Sequence, residues 1–110
     1  MSGQIRVLIA TLPRRKLVAV SSDPPIVAAR VGKQVVAFED RCPHLGMPLS
    51  QAGRVCWRRI ECGVHGASFS VVTGARRSGP TMQPLRRYEV EQDGDMVIIY
   101  TGTPAASALR

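Results

Sequence analysis

The hydrophobic positions of this chain fall in short runs divided by polar punctuation. Ile5 to Ile9, Leu17 to Val20, Ile26 to Val31, Gln34 to Glu39, Tyr88 to Glu91 and Met96 to Tyr100 are the main ones. They are rich in valine and isoleucine, whose branched side chains suit a pleated surface. Gly32-Lys33 separates the third run from the fourth, and Asp93-Gly94 separates the last two. Both read as two-residue hairpin turns, because glycine supplies the positive φ that such turns require. No stretch of ten or more residues holds a helical period cleanly. The pattern predicts an all-β domain, an antiparallel sandwich or partly open barrel.

The middle of the chain reads differently. Between Cys42 and Leu85 it is dense in glycine, proline and serine, with little continuous apolar periodicity. A short hairpin, Gly53 to Val55 with Ile60 to Glu61, is the regular element expected there. A Thr73-Gly74 turn follows, and then the loop SGPTMQPL, whose prolines limit backbone freedom. The expected organisation is a single domain over 1–110. Base strands occupy about 1–40 and 86–103, and a loop-rich insert occupies about 41–85. Loops held by such a scaffold often carry function.

Composition narrows the class. The chain has 110 residues, 45% of them hydrophobic and 21% charged, ordinary values for one globular domain. No apolar run approaches the length of a membrane span. At the N-terminus the apolar stretch precedes the basic one, the reverse of a secretion signal, so a cytoplasmic site is expected. The three cysteines make an odd count, and two of them lie near histidines. That favours metal or redox chemistry over a disulfide framework.

Charge is unevenly placed. The net charge is +7. From Arg41 to Arg87 there are eight arginines and one acid, Glu61, while the remainder of the chain balances seven bases against seven acids. The whole excess therefore lies in the central segment. Such a patch bears on partners and encounter rates, not on fold.

Both histidines lie in that segment, in two similar boxes. Cys42-x-His44 is followed, after seventeen residues, by Cys62-x-x-His65. Thiolate and imidazole are ligands for zinc and for iron. A lone cysteine is usually a small buried hydrophobe, but four such residues paired in two glycine-containing boxes point to one metal centre. Cys42, His44, Cys62 and His65 are the candidate ligands. A zinc module that binds nucleic acid is one reading, since +7 suits phosphate. The 5% aromatic content is thin for base stacking.

The boxes resemble those of the Rieske iron–sulfur family, specifically its small soluble ferredoxins. Cys42-Pro43-His44-Leu45-Gly46-Met47-Pro48-Leu49 is similar to the family's first cluster loop. Cys62-Gly63-Val64-His65-Gly66-Ala67-Ser68-Phe69, with Thr73-Gly74 after it, is similar to the second. Gly79-Pro80 to Pro84-Leu85 looks like the proline loop that covers the cluster. The resemblance implies a Rieske fold with one 2Fe–2S cluster, Cys42 and Cys62 on one iron and His44 and His65 on the other. Two neutral histidines in place of two anionic cysteines leave the oxidised cluster neutral, so it accepts an electron more readily than a four-cysteine cluster. The histidine-bound iron is then the one reduced, and its imidazole edges form the electron exit.

Departures from the family pattern sort the subclass. Respiratory members carry a further cysteine in each box, joined as a disulfide; the matching residues here are Met47 and Val64. They also place serine and tyrosine hydroxyls near the cluster, where this chain has Ala67 and Phe69. Hydrogen bonds toward sulfur stabilise the reduced state, so a low potential is expected. The family reading is a non-enzymatic carrier that takes electrons from a flavin-dependent reductase to a terminal oxygenase or similar redox enzyme. Acidic partner surfaces and electron-transfer rates that fall with salt follow from its charge. The alternative is a tightly held subunit of a nitrite-reductase-like assembly. Catalysis by the chain alone is not expected, because a Rieske oxygenase needs further histidines for a mononuclear iron. Cys56 is expected to be a free thiol. Trp57 reads equally as a partner contact and as a local lid.

Overall fold

The structure, a computed structural model, describes residues 3–43, 46–62, 67–78 and 84–104. The strands lie in two antiparallel sheets. The larger contains β1 (Gln4–Leu8), β2 (Val18–Ser22), β3 (Pro25–Val31), β4 (Gln34–Glu39), β9 (Arg87–Asp93) and β10 (Met96–Pro104), in the order β1-β10-β9-β4-β3-β2. Its two edge strands come back against each other, so the sheet nearly closes into a barrel. The smaller contains β5 (Gly53–Cys56), β6 (Arg59–Cys62), β7 (Ser68–Ser70) and β8 (Arg76–Ser78), in that order. A four-residue helix, α1 (Leu49–Ala52), leads into β5.

The all-β expectation holds, and each of the six apolar runs forms a strand. Gly32-Lys33 is the β3–β4 turn, with Gly32 at φ +62°. The last turn lies one residue later than expected. Asp93 pairs with Met96, so Gly94-Asp95 forms the turn, with Gly94 at φ +61°. β9 runs on through Asp93, and in this register Val90 lies opposite Ile99.

Strands β3 and β4 are the shared wall of two cores. Val27, Ala29, Val36 and Phe38 face one side, and Ile26, Ala28, Val35 and Ala37 face the other. Side chains alternate along a strand, so burial on both faces gives an unbroken run of buried positions in each. The first face packs against the smaller sheet through Ile60 and Phe69, and against Val71 just beyond β7. The second closes inside the near-barrel with Tyr88, Val97 and Ile99.

Tyr88 supplies a pH-sensitive element of that second core. It is 1% exposed, and the Arg86 guanidinium lies 5.3 Å from its ring centroid. Burial pushes the phenol above its ordinary value of 10.0; Arg86 opposes this and Glu39 adds to it. The folded protein therefore keeps a proton that the unfolded chain releases. The stability this gives is fully present below pH 10 and is lost as pH rises through the folded value. Tyr88→Phe is expected to flatten that alkaline loss, measured as urea unfolding midpoints on either side of pH 10.

Candidate metal centre

Two loops leave the strand ends at the same side of the smaller sheet. The first follows β4. The Cys42 N–H donates to the Met47 carbonyl at 2.8 Å, and the Gly46 N–H donates to the Cys42 carbonyl at 2.7 Å. Gly46 has φ +74°, a conformation glycine takes without strain. The second follows β6, where the Cys62 N–H donates to the Ala67 carbonyl at 2.8 Å. The same bond, from a cysteine to the fifth residue beyond it, closes both loops. His44 and His65 belong to these closed segments in sequence but lie outside the described residues.

The two cysteines are withdrawn from water. Cys42 is 1% exposed and Cys62 2%. Both belong to the packed layer between the sheets, with Leu49, Ile60, Ala67, Phe69 and Leu85. Neither forms a disulfide. Cys56, half-buried and without a disulfide, sits opposite Arg59 at the other end of the β5–β6 hairpin, outside that layer. A thiolate buried this deeply requires a compensating cation. Two sulfurs and two imidazoles are a donor set that suits iron or zinc, and the apolar walls exclude water from the sulfurs.

Asp40 braces the first loop, a role that sequence patterning did not expose. It is 9% exposed. One carboxylate oxygen accepts the Ser50 N–H at 2.8 Å, and the other accepts the Ser50 hydroxyl at 2.6 Å. The Asp40 N–H itself donates to the Pro25 carbonyl at 3.0 Å. The end of β4 is thus tied to the first turn of α1, across the loop that contains Cys42. The available signal was Pro48: it occupies the N-cap of α1 and has no side-chain acceptor, so the helix start needs an acceptor from elsewhere.

A second brace holds the segment that re-enters from the proline loop. The Leu85 N–H donates to the Gly74 carbonyl at 2.8 Å, and Leu85 is 1% exposed. Residues 79–83 of that loop lie outside the described residues. Around the second cysteine, Ala67 and Phe69 are fully buried and have no side-chain donor. Trp57 is 79% exposed, so it does not fold down as a lid. Glu61 accepts from Arg54 at 3.0 Å, which occupies the one acid of the central segment.

Comparison with known proteins bears directly on this arrangement. Residues 7–89 match the family model of the Rieske [2Fe-2S] domain. The 3-phenylpropionate/cinnamic acid dioxygenase ferredoxin subunit of Escherichia coli (strain K12) is 30% identical over 91 residues, covering 83% of this chain and 86% of the relative. Among solved structures, a chain of the complex of reduced oxygenase and oxidized ferredoxin in carbazole 1,9a-dioxygenase superposes with a TM-score of 0.81 at 30% identity, covering 94% of this chain and 95% of that one. The Sphingomonas yanoikuyae B1 ferredoxin gives 0.79 at 27% identity, with 88% and 96% covered. No helix among the described residues is long and apolar enough to cross a membrane. With a family match that runs through both cysteine loops, and with ferredoxin subunits matched along most of their length, this chain belongs to the Rieske [2Fe-2S] family, whose domain implies one Rieske-type 2Fe–2S cluster.

Proposed function

We propose that the chain is a cytoplasmic, low-potential ferredoxin that carries single electrons from a flavin-dependent reductase to a terminal oxygenase. The observation that carries this is the pair of buried cysteines, each opening a loop closed by the same bond. Cys42 and Cys62 are the thiolate ligands of one iron, and His44 and His65 the imidazole ligands of the other. When bound, such a cluster supplies a one-electron couple. The protein's part is to hold the four ligands and keep the sulfurs dry. The closing bonds and Asp40 fix the loop bases; Leu49, Ile60, Phe69 and Leu85 exclude water. Residues 41–85 act as the cluster-binding insert on a base made from the rest of the chain.

The low potential rests on what surrounds Cys62. Ala67 and Phe69 offer no side-chain donor to stabilise the negative charge added on reduction. The expected midpoint is at the low end of the Rieske range, roughly −150 mV. Redox titration of the purified protein, followed by visible absorption, measures it. A clearly positive midpoint overturns the low-potential reading. A colourless protein with one zinc and no acid-labile sulfide overturns the cluster itself. The relatives' oxygenase systems support the acceptor class, and the excess of arginine over acid in residues 41–87 supports acidic docking surfaces on the partners.

A further inference from the structure

The end of the hairpin away from Cys62 gives the arginine excess a definite place. There the chain turns through Trp57 and Arg58, between the paired residues Cys56 and Arg59. Trp57 has φ +57°, a conformation that glycine or asparagine adopts readily and a bulky side chain does not. Its side chain is 79% exposed, so burial does not offset that strain. Strain of this kind persists where the surroundings impose it, and it concentrates at functional sites.

Beside the indole runs an open groove of about 640 Å³, lined by Trp57, Arg58, Arg59, Val72 and Arg77 among others. Its floor is firmly tied. The Val71 N–H donates to the Arg58 carbonyl at 2.9 Å, and the Ser70 hydroxyl accepts from the Val72 and Thr73 N–H groups at 3.1 and 3.4 Å. Arg58, Arg59 and Arg77 are exposed. Among the described residues no acid pairs with them, because Glu61 is held by Arg54. Val72 is 46% exposed and adds an apolar wall.

We propose that this groove docks an acidic segment of a partner protein. Carboxylates of the segment pair with Arg58, Arg59 and Arg77, and one apolar side chain packs on Trp57 and Val72. Tryptophan and arginine are the residues that most often dominate protein interfaces. The groove is too open to enclose a small ligand as a cofactor pocket does, but it suits a loop or strand laid across it. It is also separate from the proposed electron exit. Arg59 and Cys62 are three residues apart on β6, about 10 Å at the strand rise, and the Cys62 loop closes the opposite end. A partner anchored here leaves the end that carries the Cys62 loop open. The proposal rests on no redox property, so it stands or falls apart from the carrier assignment.

Trp57 is the only tryptophan in the chain, so its emission reports the groove directly. The experiment titrates the purified, cluster-loaded protein with the peptide Glu-Leu-Glu-Glu-Leu-Glu at low salt. The expected result is a saturable emission shift that weakens roughly tenfold when salt is raised several-fold. It is lost in R58E/R77E and kept in R14E/K33E, which changes net charge equally at distant positions. If R58E/R77E loses its visible spectrum, R58Q/R77Q takes its place with the same two readings. No shift, or a shift that the groove variants retain, overturns the proposal. So does the same shift with inorganic pyrophosphate, which marks a small-anion site. A shift that grows with protein concentration alone, without peptide, marks self-association and overturns it as well.

Discussion

His44→Ala and His65→Ala, made singly, are expected to yield protein without the visible absorption and without the reduced-state EPR signal of a Rieske cluster. Cys42→Ser and Cys62→Ser should do the same, while Cys56→Ser keeps both signals at full intensity. The contrast among the cysteines follows from position. Cys42 and Cys62 open the two closed loops and lie in the layer between the sheets. Cys56 lies at the other end of the hairpin, outside that layer. Removing one of the proposed ligands leaves thiolate buried, 1% exposed at Cys42 or 2% at Cys62, with its compensating charge gone. Metal affinity and folding are coupled in such sites, so the ligand variants should also unfold at lower temperature than Cys56→Ser. Iron and acid-labile sulfide per chain, with thermal melts, check both halves. A His44→Ala protein with an unchanged Rieske spectrum defeats the ligand assignment.

Gly74→Ala should be clearly destabilising although it lies outside the proposed ligands. Gly74 has φ +80°, and an added Cβ would lie 2.2 Å from the Leu85 carbonyl oxygen. The conformation alone costs a non-glycine residue about 1–2 kcal/mol. Relief of the clash requires backbone movement, which adds about 1–3 kcal/mol more. Gly94→Ala separates the two effects. Gly94 has φ +61° but open space where a Cβ would go, so it carries the conformational cost without the clash. Urea unfolding should show Gly74→Ala losing roughly twice as much stability as Gly94→Ala, or more. Equal losses would mean that Leu85 yields freely. Because Leu85 ends the proline loop and its N–H donates to the Gly74 carbonyl, cluster retention should fall in Gly74→Ala and not in Gly94→Ala.

These two glycines show where the sequence is legible and where it is not. Both sit at turn signals, Thr73-Gly74 and Asp93-Gly94, although the second turn is formed by Gly94-Asp95. That only one is crowded depends on Leu85 and Phe38, which approach from elsewhere in the chain. The six long strands were readable because each combines β-branched residues with a run length that fits a strand. Strands β7 (SFS) and β8 (RRS) were not, because three residues are too few to show alternation. They are strands because β6 offers β7 a paired edge and β7 offers one to β8: Ile60 sets Phe69, and Phe69 sets Arg76. The candidate ligands were visible as spacing, since both boxes keep cysteine and histidine within one short loop. The braces at Asp40–Ser50 and Leu85–Gly74 were not, because each joins residues ten or more apart with no local signature. Trp57 reverses the usual rule, since it takes a positive φ that turn chemistry assigns to glycine.

The order of strands in the larger sheet has a consequence for biosynthesis. β1 pairs only with β10, and β4 meets β9, so the two strands synthesised last occupy the middle of the sheet. Until they leave the ribosome, β1 has no hydrogen-bonded partner strand and β4 presents an unpaired edge. The barrel-like core that holds Tyr88, Val97 and Ile99 cannot close before then. The cysteine loops emerge earlier, but the layer that buries them rests on β3 and β4, the shared wall of that unfinished core. The wall behind the buried cysteines is thus packed on both of its faces only once β9 and β10 have joined the sheet.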